Sequence, residues 1–182
     1  RQMCIRDRYK LVPIKTPIDP NNPYQMGRID TDVMYDIVMK WDWGNSDSKD
    51  IYHDPETRKN SISFRSNINR LAETLIDEGQ KEKAITVLDL AMEKMPIETF
   101  GYYSLVIPIA AAYYRAGALD KAQKIVTTIA SGYEEYMRYY AQWNRDEQLM
   151  LMEDIVANVE RYKSLLTEII KAKDLKSMTA LY

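Results

Sequence analysis

The sequence has almost none of the residues from which histidine- and cysteine-based sites are built. Its 182 residues include one cysteine and one histidine, too few for a disulfide framework, a zinc site or a Cys–His nucleophile. No apolar run approaches the ~20 residues of a membrane-spanning helix. The 27 acidic residues outnumber the 25 basic ones, so no positive field exists to hold a nucleic-acid backbone or an anionic membrane.

Motifs for catalysis and cofactor binding are absent as well. The sequence contains no glycine-rich phosphate loop, no nucleophile elbow and no HExxH segment. No catalytic residue, metal ligand or cofactor site is therefore assigned, and we expect this chain not to be an enzyme. The 46% of hydrophobic and 29% of charged residues are typical of a folded globular protein.

The first eight residues, Arg1 to Arg8, have neither helical nor strand periodicity. They resemble the translation of a transposon-end adapter used in sequencing-library preparation, and such scars are excluded from fold reasoning. The alternative is a native basic N-terminal arm. If the segment is an adapter, Cys4 has no functional meaning, Tyr9 begins in mid-protein, and we expect the chain to be the tail of a longer one.

Residues 9–30 are predicted to form an extended strap or linker. Four of the seven prolines lie between Pro13 and Pro23, and proline fixes φ and removes a hydrogen-bond donor. A helix capped by Asp30 or Thr31 is predicted to follow. Its predicted inward face consists of Val33, Met34, Ile37, Val38 and Trp41.

A helical hairpin is predicted next. Asp54, Pro55 and Glu56 supply a capping side chain, a proline at the first helical position and an acid in the first turn. Gly79 ends this helix in the left-handed conformation, and a second helix stops before Pro96. The residues predicted to face inward are Phe64, Ile68, Leu71, Leu75, Ala84, Ile85, Leu88, Ala91, Met92 and Met95.

The hairpin pattern recurs when the sequence is aligned with itself so that Gly117 matches Gly79, an offset of 38 residues. Small residues then coincide where two antiparallel helices come closest, and large residues coincide on either side. The aligned pairs are Ala72 with Ala110, Ala84 with Ala122, Leu71 with Ile109, and Leu75 with Tyr113. The pattern resembles the tetratricopeptide repeat, although Ile68 replaces its usual aromatic residue.

The predicted fold is all-α: tetratricopeptide-like hairpin repeats forming an α-solenoid over residues 31–182, with the proline-rich strap before them. The repeats are placed at about 64–96 and 103–134, and Pro108 predicts a late start or a kink in the second copy. Two copies are fewer than a stable stack needs, so long helices at 133–172 are predicted to cap them. The longer of these helices is expected after Asn144 or Asp146.

Two candidate binding surfaces follow from this fold. Repeats of this type usually bind peptides in a groove lined by their first helices. The lining positions are Asn69, Glu73, Ile76, Asp77, Ile107, Ala111, Tyr114 and Arg115. The groove lacks the lysine–asparagine pair that clamps a C-terminal carboxylate, which disfavours a receptor for chaperone tails. A candidate aromatic face, for packing or for a stacked ligand, consists of Tyr133, Tyr136, Tyr140 and Trp143.

The other residues with possible chemistry have simpler explanations. His53 has no second nitrogen or sulfur ligand beside it, so it is predicted to be a loop histidine. Asp42, Asn45, Asp47 and Asp50 are spaced too irregularly to match a calcium-binding loop.

Five segments occur in an order that is characteristic of one family: Leu11–Thr16, Gly27–Asp36, Trp43–Asn45, Phe64–Ala72 and Pro108–Gly117. Together they resemble the C-terminal region of a large bacterial family of multi-pass membrane proteins, labelled a domain of unknown function. The N-terminal membrane part of that family resembles protein O-mannosyltransferases. The resemblance covers most of residues 9–172, is weakest after Asn144, and carries no catalytic residue onto this chain.

The resemblance implies a helical-repeat appendage on the extracytoplasmic, periplasmic face of the inner membrane. We expect a non-catalytic docking domain whose partner is its own membrane domain, another protein or a peptide. One alternative is a structural cap that only stabilises the parent protein. Another is a carbohydrate-binding module, or a hydrolase, that uses the aromatic face with Glu134, Glu135 and Asp146.

Overall fold

The computed structural model describes residues 29–101 and 103–181, and in these ranges the chain forms helices and no β-strand. The all-α prediction is confirmed. The proposed adapter at 1–8 and nearly all of the strap at 9–30 lie outside the described residues. The helices are α1 (Thr31–Val38), α2 (Pro55–Asp77), α3 (Lys81–Lys94), α4 (Ile97–Phe100), α5 (Ile107–Ala116), α6 (Leu119–Ala141), α7 (Arg145–Met150), α8 (Met152–Ala172) and α9 (Leu175–Ala180).

Helix α1 begins as predicted but buries a narrower stripe than its sequence suggests. The Asp30 carboxylate caps it by accepting a hydrogen bond from the Val33 amide. Val38 is fully buried, whereas Val33 and Ile37 are exposed, so the predicted inward face is partly wrong. Since α1 packs mainly against α2, its two turns bury only the side that includes Thr31 and Val38.

Helices α2 and α3 form the first predicted hairpin. Asp54 accepts hydrogen bonds from the amides of residues 56 and 57, and Pro55 is the first helical residue. Gly79 has φ +81°, the left-handed conformation that its position requires. The two helices pack against each other and bury the positions predicted to be inward, including Leu71, Leu75, Ala84, Leu88 and Ala91.

A fully buried arginine fastens the connection after this hairpin. Arg65 on α2 donates one hydrogen bond to the Met95 carbonyl (2.8 Å) and one to the Gly101 carbonyl (2.6 Å). Met95 and Gly101 are the C-cap residues of α3 and α4. The partial negative charge at a helix C-terminus favours a cation there. Burial lowers the pKa of Arg65 to about 10. Arg65 thus holds both helix ends against α2.

Helices α5 and α6 form the second hairpin. Helix α5 begins at Ile107 with Pro108 in its first turn, so the late start is observed. Helix α4 and a 3₁₀ turn at Tyr103–Leu105 occupy the connection before it. Helix α6 runs unbroken to Ala141. Residues 133–141 therefore continue the second hairpin and do not begin a separate capping helix.

The predicted long helix after Asn144 is divided in two. Asn144 caps α7 through a capping box with Glu147, and the chain turns at Leu151 before α8 begins. Helix α7 has no buried residue. The division places a short exposed helix between α6 and α8.

The turn from α8 to α9 has the same backbone geometry as the turns within the first two hairpins. Lys173 adopts φ +55°, where Gly79 and Gly117 have +81° and +90°. In each turn the amide of the next residue donates to the carbonyl four residues before the left-handed one. These bonds join Gln80 to Leu75 (2.8 Å), Ala118 to Tyr113 (2.9 Å) and Asp174 to Ile169 (3.2 Å).

Helix packing repeats in the same order. Helix α5 packs against α2 and α3, and α8 packs against α5 and α6. The equivalent positions Leu71, Ile109 and Leu165 are all fully buried. Helices α8 and α9 therefore form a third hairpin with a short second helix, stacked on the second hairpin as the second is stacked on the first.

Candidate functional site

The predicted groove positions on α2 and α5 are only partly open to solvent. Asn69 and Ile76 on α2 are buried, as is Ile107 on α5. Asn69 donates a hydrogen bond to Glu73 (2.9 Å), which is half-buried. The three buried side chains can contact a ligand only if their neighbours move.

The open part of this face crosses from the first hairpin to the second. Asp77 and Arg115 are exposed and form an ion pair. They occupy equivalent positions in the two hairpins, 38 residues apart. Ala111 and Tyr114 are half-buried beside Arg115 on α5. The structure thus brings together one acid, one base and two partly accessible side chains.

A buried carboxylate ties the far side of this face to the third hairpin. Asp174 accepts hydrogen bonds from the Tyr114 hydroxyl (2.7 Å), the Gln123 amide (2.9 Å) and the Ser177 hydroxyl (2.6 Å). Burial by itself raises the pKa of Asp174, but these bonds outweigh burial and hold it below its usual value. Burial and the neighbouring carboxylate raise the pKa of Tyr114.

Sequence reasoning missed Asp174 because a single aspartate near the C-terminus has no distinguishing pattern. The residue before it is lysine rather than glycine, so nothing in the sequence marks the left-handed turn that Asp174 follows. The same bonds show that Tyr114, one of the predicted groove residues, presents its hydroxyl to the protein's own helix. That hydroxyl is therefore already occupied by Asp174.

The predicted aromatic face divides into a buried and an exposed part. Tyr133 is buried and its ring lies edge-on to Tyr162 on α8, with 6.1 Å between centroids. Tyr140 is also buried, and its hydroxyl accepts a hydrogen bond from Asn158 (2.9 Å). These two tyrosines pack α6 against α8, so they are not available to a ligand.

The exposed part is a cluster of three rings, which we name the α6-end surface: Tyr136, Tyr139 and Trp143. Their side chains are 44%, 49% and 37% exposed. Tyr136 stacks on Tyr140 with centroids 6.5 Å apart, and Tyr139 lies edge-on to Tyr140 and to Trp143 at 5.7 and 5.6 Å. The sequence pattern did not include Tyr139, which contacts Trp143 and packs, like Tyr136, against Tyr140.

The loop histidine lies where it was predicted, between α1 and α2. The His53 ring is half-buried against Phe100, with 4.9 Å between centroids. In the described ranges, no group of three or more histidine, cysteine or acidic side chains is placed to hold a metal ion. Of the irregular acidic loop, Asp47 forms an ion pair with Lys94 (3.1 Å) and Asp42 accepts a hydrogen bond from the Gly44 amide.

None of the helices between residues 29 and 181 that the structure describes has both the length and the apolar character needed to cross a bilayer. No protein-family model, curated protein or solved structure matches this chain.

Proposed function

We propose that this chain is a non-catalytic, tetratricopeptide-like docking domain of a membrane glycosyltransferase-like protein. Its partner is a protein surface: the parent's own membrane domain, or a second protein or peptide held near it. The location proposed from the family resemblance is the periplasmic face of the inner membrane. The observation that carries the proposal is the repeated turn and packing geometry of three successive hairpins, because stacked hairpins create extended binding faces.

The open part of the α2–α5 face is the proposed docking site. An exposed ion pair such as Asp77–Arg115 contributes only about 0–1 kcal/mol to stability. Charged groups of a partner can therefore replace either member at little cost to the fold. Ala111 lies four residues before Arg115 on the same helix face, where a partner side chain would contact it.

Site-specific photocrosslinking in the cell of origin tests this proposal. A benzoylphenylalanine at position 111, in the full-length parent protein, is expected to capture one discrete protein or the parent's own membrane domain. The substitution Arg115→Glu is expected to reduce that product several-fold. The same crosslinker at Thr86, exposed on α3, serves as the matched control and is expected to give no product.

A structural cap is the second candidate, favoured by the burial of Asn69, Ile76 and Ile107. For a cap, position 111 would give no crosslink to a second protein, while removal of the domain would lower the abundance of the parent without changing its choice of acceptor. The two results separate the candidates, since a docking domain predicts a crosslink and altered acceptor use.

A further inference from the structure

We infer that the α6-end surface is a second docking site, which binds a basic amphipathic helix of a partner protein. Tyr136 and Tyr139 lie on α6 and Trp143 lies two residues after its end. None of them belongs to the α2–α5 face, so the inference does not depend on the groove proposed above.

The rings are fixed before any ligand arrives. The buried Tyr140 supports them. Its hydroxyl accepts a hydrogen bond from Asn158, and the rings of Tyr136 and Tyr139 pack against its ring. Trp143 in turn lies edge-on to Tyr139. A preorganised aromatic surface loses little conformational entropy on binding, and tryptophan and tyrosine dominate the energetics of protein interfaces.

The spacing of the rings suits a helical ligand. Tyr136 and Tyr139 lie about one turn apart on α6, and Trp143, two residues beyond the end of the helix, continues the row through its contact with Tyr139. A partner helix presents apolar side chains with the same periodicity. Gln148 of α7 donates hydrogen bonds to the carbonyls of Tyr140 and Trp143, and these bonds hold α7 beside this end of α6. Met150, on the same short helix, is 86% exposed and can adapt to a ligand.

The charge around the surface selects the sign of the partner. Residues 133–160 contain seven acidic and two basic side chains. Arg138 is paired with Glu134, whereas the exposed acids in this stretch that form no ion pair with another described residue are Glu135, Asp146, Glu153 and Asp154. Carboxylates beside aromatic faces attract lysine and arginine, both by charge and by cation–π contact. They repel an anionic membrane.

Binding of two synthetic helical peptides by the full chain tests this inference. One peptide consists of leucine and lysine in an amphipathic pattern, and the other has glutamate in place of every lysine. The lysine peptide is expected to bind at least about tenfold more tightly at 50 mM salt, and its affinity is expected to fall as salt rises. Fluorescence anisotropy of the labelled peptides gives both dissociation constants.

Two pairs of variants locate the site. Tyr139→Ser with Trp143→Ser is expected to weaken binding of the lysine peptide by about tenfold or more. As a control, Tyr52→Ser removes an 83% exposed ring from the loop between α1 and α2. This variant is expected to change the affinity for the lysine peptide less than twofold. The double variant Glu135→Lys with Asp146→Lys is expected to weaken binding of the lysine peptide strongly. The double variant Asp36→Lys with Glu82→Lys changes the net charge by the same amount and is expected to weaken binding only slightly. Circular dichroism verifies that each variant is folded.

Three results would overturn the inference: equal binding of both peptides, equal effects of the two charge-reversal pairs, or unchanged binding when Tyr139 and Trp143 are replaced. Binding of phosphatidylcholine vesicles or of a glycan array through the same rings, with no binding of the lysine peptide, would replace the helix by a membrane or a carbohydrate ligand.

Discussion

At the scale of single residues, two buried charged side chains organise the described part of the chain, and neither has a sequence signature. Arg65 lies on the inward stripe of α2 and bonds to two carbonyls that end helices. Asp174 accepts hydrogen bonds from α5, α6 and α9. Arginine and aspartate usually face solvent, so residue type by itself assigns both to the surface. Their burial depends on tertiary contacts that only the folded arrangement supplies.

Replacement of Asp174 by asparagine is expected to lower the free energy of unfolding by about 2 kcal/mol at pH 7, because a buried, charge-assisted network loses its charge and one of its two acceptor oxygens. The pKa of Asp174 is lower in the folded protein than in the unfolded chain. Its stabilising effect is therefore complete above the unfolded value of about 3.9 and is lost as the pH falls through the folded value. Urea denaturation from pH 7 to pH 3 measures the difference.

The exposed carboxylate of Asp120, in the first turn of α6, provides the control for this experiment. Asp120→Asn is expected to change stability by less than about 0.5 kcal/mol. A stability difference between wild type and Asp174→Asn that stays constant down to pH 3 would contradict the assigned network.

At the scale of helices, the first two hairpins could be predicted and the third could not. Asp54 with Pro55 marks a helix start, and Gly79 and Gly117 mark equivalent turns, because only glycine adopts a positive φ at low cost. In the third turn lysine replaces glycine, and the spacing changes from 38 to 56 residues. The extension of α6 and the insertion of α7 account for the longer spacing and conceal the repeat.

Substitutions at the turn residues Lys173 and Gly117 are expected to change the stability in opposite directions. Lys173→Gly is expected to raise the free energy of unfolding by about 0.5–1 kcal/mol, since it relieves a left-handed non-glycine residue. Gly117→Ala is expected to lower it by about 1 kcal/mol. No atom lies within 4 Å of a Cβ built on Gly117, so this loss is conformational and not a clash. Equilibrium denaturation of both variants is the measurement, and equal destabilisation by both would refute the equivalence of the turns.

The candidate surfaces were predicted less completely than the helices. Spacing placed Asp77 and Arg115 on one face, and they meet as an ion pair. It gave no sign that Ile107 is buried, or that Tyr114 is bonded to Asp174. Spacing also grouped the buried Tyr133 and Tyr140 with exposed rings. Helical spacing cannot distinguish them, because which rings of the stripe become buried depends on the helix that packs against α6. That helix, α8, is not a neighbour in sequence.

At the scale of the whole molecule, stacked hairpins predict a gradient of local stability. Helix α5 contacts α2, α3, α6 and α8, so its amides open only when neighbours on both sides separate. Helix α7 has no buried residue, and α1 packs mainly against one helix. Hydrogen exchange measured by mass spectrometry is expected to be slowest in α5 and at least tenfold faster in α1 and α7. Uniform protection across all helices would contradict a stack of hairpins.

The most direct test of the three-hairpin stack is a nuclear Overhauser spectrum of the isotope-labelled protein in solution. Packing of α8 on α6 predicts cross-peaks between the rings of Tyr133 and Tyr162, whose centroids are 6.1 Å apart. It also predicts cross-peaks between the Asn158 side-chain amide and the Tyr140 ring, whose hydroxyl accepts its hydrogen bond. Absence of both sets of cross-peaks, with α6 and α8 still helical by chemical shift, would contradict the stacking of the third hairpin on the second.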